Sequence, residues 1–106
     1  MAALDRRLEL DAILRDILGN SNTYFEPPES IKMHYPCIRY SRSHMDAKYA
    51  DNLAYLRHKR YELVLIYEDA DDDLPDKVME SDKIIVTHDR HYVADNLHHD
   101  VFTTYF

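Results

Sequence analysis

Residues 60–68 read RYELVLIYE, with Leu63, Val64, Leu65 and Ile66 in an unbroken apolar run. A run this short, rich in β-branched and aromatic side chains, is a strand buried on both faces. One face calls for a helix. The other calls for something apolar, and in so small a domain a second copy of the chain can supply it. The reading of this stretch therefore commits the chain to a sheet sandwiched between two covers.

Working outward from it, residues 4–18 predict the helix. Leu10, Ile13, Leu14, Ile17 and Leu18 recur on one side at helical spacing, and Asp11 and Arg15 form an i,i+4 pair on the flank. Gly19, followed by Asn20-Ser21-Asn22, marks its end in the left-handed conformation. Tyr24-Phe25 reads as a short strand before Pro27 and Pro28, which forbid regular pairing. Residues 37–42, CIRYSR, form a further strand with Ile38 and Tyr40 on alternate positions.

After the apolar run, residues 73–82 predict a short helix with Asp73 as N-cap, Pro75 in the first turn and Asp76 at its positive end. Residues 83–93 and 97–106 are the last two strands, joined at Asp95-Asn96. The order predicts one α+β domain over residues 1–106, with four to five mainly antiparallel strands and both helices on one face.

The totals narrow the function. A net charge of −7 disfavours general nucleic-acid binding and docking on anionic membranes. The single cysteine, Cys37, permits no intrachain disulfide, and beside a proline on an apolar strand it reads as a buried, inert thiol. One glycine cannot build a phosphate-cradling loop or a nucleophile elbow. Nine tyrosines against three phenylalanines and no tryptophan suit half-exposed sheets and subunit interfaces. No segment has membrane-spanning length, and the N-terminus lacks the apolar core of a signal peptide.

Two stretches carry metal-binding residue types. Residues 87–102, THDRHYVADNLHHDVF, hold four of the seven histidines and three aspartates. With Asp95-Asn96 as a two-residue turn, Val93 faces His98, Tyr92 faces His99 and His91 faces Asp100. Strict alternation then points Asp89, His91, His98 and Asp100 to one side, and His88 and His99 to the other. Nothing in the sequence fixes those imidazole rings from behind, so the expectation is a solvated hairpin face with a His91–Asp100 pair. Asp69, Asp71, Asp73 and Glu80 match the spacing of a calcium loop, but Leu74 stands where such a loop needs glycine and a strand precedes it. No catalytic, cofactor or metal residues are expected.

As a whole the chain resembles the small tail-completion, or tail terminator, proteins of long-tailed (siphovirus) bacteriophages. The resemblance runs from RRLELDAILRDILG through YFEPPESIKMHYP, IRYSRSHMDAKYADN and YELVLIYEDADDDLPDKV to the closing DRHYVADNLHHDVFTTYF. Where such proteins often carry glycine in the final turn, Asn96 stands here, and asparagine also accepts left-handed geometry. The resemblance implies a structural virion protein: an α+β subunit assembled as a hexameric ring at the phage neck. Such a ring caps the tail tube, stops its polymerisation and meets the head connector. Its partners would be further copies of itself, the tail tube protein and the head connector or closure protein. Genome DNA would pass through the lumen without specific binding. The protein would be made in the bacterial host cytoplasm and reside in the virion, with no membrane and no cofactor. Tyr49, Asp51 and Asn52, in the polar connection 43–56, are the expected subunit-contact residues. The alternatives are another neck component, a head-closure or connector protein, and a metal-dependent hydrolase using the final hairpin.

Overall fold

The computed structural model describes residues 2–43 and 59–106. Helix α1 (Ala2–Leu18) is followed by strands β1 (Thr23–Phe25), β2 (Cys37–Arg42) and β3 (Arg60–Tyr67). Helix α2 (Leu74–Glu80) and the hairpin β4 (Val86–Ala94) and β5 (Leu97–Tyr105) complete the order. The strands form one sheet, β1-β2-β3-β5-β4, in which β1 runs parallel to β2 and every other pair is antiparallel. This is the expected α+β architecture, and the apolar run is its central strand.

Both helices cover one face. Leu10, Leu14 and Leu18 of α1 and Leu74 and Val78 of α2 pack with Ile38, Tyr40, Tyr61, Leu63, Leu65 and Phe102 of the sheet. Burial of each large aliphatic side chain there contributes roughly 1.5–3 kcal/mol. Polar links fix α1 to the sheet. The Tyr40 hydroxyl donates to Asp11 Oδ1 at 2.7 Å and accepts from Arg7 at 3.3 Å. Asp11 also takes the Arg15 guanidinium at 2.8 Å, the expected i,i+4 pair. The Arg6 and Arg7 guanidiniums lie over the Phe106 and Phe25 rings at 4.3 and 4.5 Å. Gly19 ends the helix at φ 75°, with its N–H donating to the Arg15 carbonyl.

The second cover departs from expectation. Cys37, Val64, Ile66 and Val101 form a smaller apolar cluster on the opposite face, and Met33 and Tyr35 of the chain's own proline-bearing segment pack against it. That segment is held by the Tyr24 hydroxyl, which accepts the His34 N–H at 3.1 Å. The amides of Asn20 and Asn22 both reach the Pro36 carbonyl, just after the cis Tyr35–Pro36 bond. Part of the back face is thus covered within the chain, so no second copy is required there.

Helix α2 begins at Leu74, one residue after Asp73, but the Asp73 side chain makes no capping bond. Asp72 Oδ1 accepts the Leu74 N–H at 3.0 Å instead, while Asp73 lies 3.8 Å from Lys77. Strand β4 starts at Val86 rather than at residue 83, because its pairing with β5 begins at Val86 opposite Thr104; before it Ile84 is buried in the core and Ile85 is 89% exposed.

Candidate functional site: a histidine–carboxylate network on the final hairpin

The hairpin turn is built as its residues require. Asp95 and Asn96 both adopt left-handed φ, 54° and 62°, the two-residue turn whose twist matches its strands. Register follows as expected near the turn: Ala94 faces Leu97, Val93 faces His98, Tyr92 faces His99 and His91 faces Asp100. Beyond Arg90 it shifts. A bulge between His88 and Arg90 inserts Asp89, so that His88 faces Phe102 and no longer follows strict alternation. The extra residue reverses the parity of everything before it. His88 therefore lies on the same side as His91, not on the opposite side with His99. Asp89 leaves the histidine group and its Oδ2 accepts the Thr103 hydroxyl at 2.6 Å.

That side is the helix-covered one, where Phe102 and Thr104 of β5 are buried. Asp100 follows the same alternation inward and is only 4% exposed, which corrects the expectation of a solvated pair. Its carboxylate is fully engaged. Oδ2 accepts the Tyr67 hydroxyl at 2.5 Å, and Oδ1 receives His88 Nε2 at 2.8 Å and His91 Nδ1 at 3.0 Å. His98 stacks on Tyr67 with ring centres 5.4 Å apart and an interplanar angle of 17°. Its Nδ1 lies 3.5 Å from His91 Nε2. On the other side of the sheet, His99 stacks on Tyr92 at 4.6 Å.

The electrostatics follow from this geometry. Burial pushes the Asp100 carboxyl up, but the bonds from Tyr67, His88 and His91, with the charge of a protonated His91, outweigh it. The carboxyl is held below its ordinary value. Burial, the bond to Asp100 and the negative charge of Asp100 push the Tyr67 hydroxyl above its ordinary value, so it remains a donor. An ionised carboxylate only accepts, so both imidazole nitrogens facing it donate. In its neutral form His91 then carries its lone pair on Nε2, pointing away from Asp100. The rings are fixed from behind, contrary to expectation.

The other candidates separate. Cys37 lies on the opposite face, fully buried, with burial pushing its thiol up to about 12. The acidic run spends its carboxylates locally: Asp69 accepts the Asp71 N–H at 2.9 Å and Asp72 accepts the Leu74 N–H. Among the described residues, no group of three or more histidine, cysteine, aspartate or glutamate side chains is placed to hold a metal ion. No helix among them is long and apolar enough to cross a membrane. Tyr49, Asp51 and Asn52 lie outside the described residues. Compared with known proteins, the chain matches no protein family, no curated protein and no solved structure.

Proposed function

We propose that the chain is a structural virion protein: a ring-forming tail terminator that caps the phage tail tube, stops its polymerisation and joins it to the head connector. The observation that carries the reading is the inequality of the two sheet edges. A closed ring needs two different, complementary surfaces on each subunit, because head-to-tail contacts are heterologous. Among the described residues, strand order places β4 at one edge and β1 at the other.

The β4 edge is nine residues long, exposed at every position after Val86, and carries apolar Val93 at 57% exposure beside Tyr92 at 39%. Ile85 stands exposed at its start. Exposed apolar side chains along an unpaired edge are what a monomeric domain avoids. Beside β1, at the far edge, lies a groove lined by Pro27, Pro28, Glu29, Ile31, Met33 and Arg39. It is concave and partly apolar, the kind of surface that accepts a neighbour's projecting side chains. The resemblance to tail-completion proteins supplies the identity of the ring, and the net charge of −7 suits a channel that lets DNA slide.

Molar mass in solution and electron microscopy test the ring, and addition to polymerising tube protein tests the cap. The expected result is a hexamer that arrests tube growth, with Val93→Lys and Ile85→Lys folding normally but failing to assemble. A wild-type chain that stays monomeric at high concentration and leaves tube growth unchanged refutes the reading. A ring that assembles but ignores the tube points to a head-closure or connector component instead.

A further inference from the structure

We propose that His91 and His98 form a chelating site for one divalent transition-metal ion, with Asp100 and Tyr67 as the residues that position them. The two imidazole nitrogens facing each other, His91 Nε2 and His98 Nδ1, are 3.5 Å apart. Two nitrogens bound to one tetrahedral zinc at ~2.1 Å lie about 3.4 Å from each other. The distance is that of a hydrogen bond between the rings and already matches what one ion needs, so a turn of each ring that aims both lone pairs at a shared point completes the site.

Each ring is held from behind by a different contact. His91 donates Nδ1–H to Asp100, which is buried, and presents Nε2 outward. His98 is held by its stack on Tyr67, and Tyr67 is in turn tied to Asp100. A carboxylate behind a ligating histidine is how metal sites fix the ring and raise its basicity.

In the metal-free protein one proton lies between the two facing nitrogens. On binding, that proton moves from His98 Nδ1 to its Nε2, which leaves both facing lone pairs for the ion and releases no proton from neutral rings. Two imidazoles with water completing the shell select zinc, copper or nickel over magnesium or calcium. The site lies within one subunit and does not depend on the ring reading.

The test uses the full, untagged chain, titrated with zinc, copper, nickel and magnesium chlorides by calorimetry and by competition with a chromogenic chelator. The expected result is one zinc, copper or nickel ion per chain and no magnesium. His91→Gln and His98→Gln should each weaken binding about tenfold or more, and Asp100→Asn by roughly 10–100-fold. His34→Gln and His99→Gln should leave it unchanged. His98 is only half-buried, so His98→Gln still tests the site if the Asp100 variant folds poorly. Absence of binding at millimolar metal overturns the proposal. So does binding that survives in both His91→Gln and His98→Gln, which would show an adventitious ion only, or magnesium binding as tightly as zinc.

Discussion

Replacing Asp100 by alanine tests the network most directly. The carboxylate accepts three hydrogen bonds, and the partners differ in what they lose. The Tyr67 side chain is 4% exposed, so its hydroxyl is stranded without water at a cost of roughly 1–3 kcal/mol. The His88 and His91 side chains are 37% and 42% exposed and regain water, so each adds under about 1 kcal/mol. The sum is about 1–5 kcal/mol, or a fall in Tm of roughly 5–40 °C for a domain this size.

Thermal unfolding followed by circular dichroism reads the loss. Tyr67→Phe completes a double-mutant cycle: costly in the wild-type background, it should be nearly neutral once Asp100 is gone, giving a coupling of about 1–2 kcal/mol. A loss under about 0.5 kcal/mol for Asp100→Ala, or strict additivity with Tyr67→Phe, would refute a buried, shared carboxylate.

Acid should act through the same group. A carboxyl whose folded value lies below its unfolded value of ~3.9 contributes stability that is complete above that value. The contribution fades as pH falls through the folded value, so the urea midpoint of wild type should converge on that of Asp100→Asn below about pH 4. Cys37 should resist a thiol reagent at pH 8 in the native protein, as its burial and raised value require, and react at once in denaturant. Tyr40→Phe should cost about 1–2 kcal/mol by urea titration, since it removes the hydroxyl joining α1 to the sheet but keeps the ring. Leu14→Ala, at a fully buried position, should cost roughly 2–5 kcal/mol.

Long, periodic features were legible in the amino-acid sequence. The helix stripe from Leu10 to Leu18, the stop at Gly19 and the run Leu63–Ile66 each state their role in residue type alone. The hairpin register near the turn was legible too, because Asp95-Asn96 leaves few other ways to reverse the chain. The bulge was not, since either parity of His88-Asp89-Arg90-His91 puts polar side chains on both faces. That single inserted residue hid the place of His88 beside Asp100, because alternation alone cannot reveal a shift in its own phase. The self-cover by Met33 and Tyr35 was equally hidden. It depends on where a proline-bearing connection travels, and prolines state only that it does not pair. Three-residue β1 is too short to show a period, so its parallel pairing had no local signal. At α2, Asp72 and Asp73 are equivalent candidates for holding the first N–H, and only backbone geometry selects Asp72.

The Asp89 bulge also limits what can be added to the sheet. A foreign strand laid along β4 can keep step with residues 90–94 or with 86–88, but not with both, because the count of residues slips by one between them. Continuous backbone pairing from another chain would therefore stall partway along. The outer edge can grip a neighbour through Tyr92, Val93 and Ile85, yet it is a poor template for unlimited strand-upon-strand growth. Under the proposed terminator function, a subunit that ends a polymer has reason to carry an edge that cannot itself be extended.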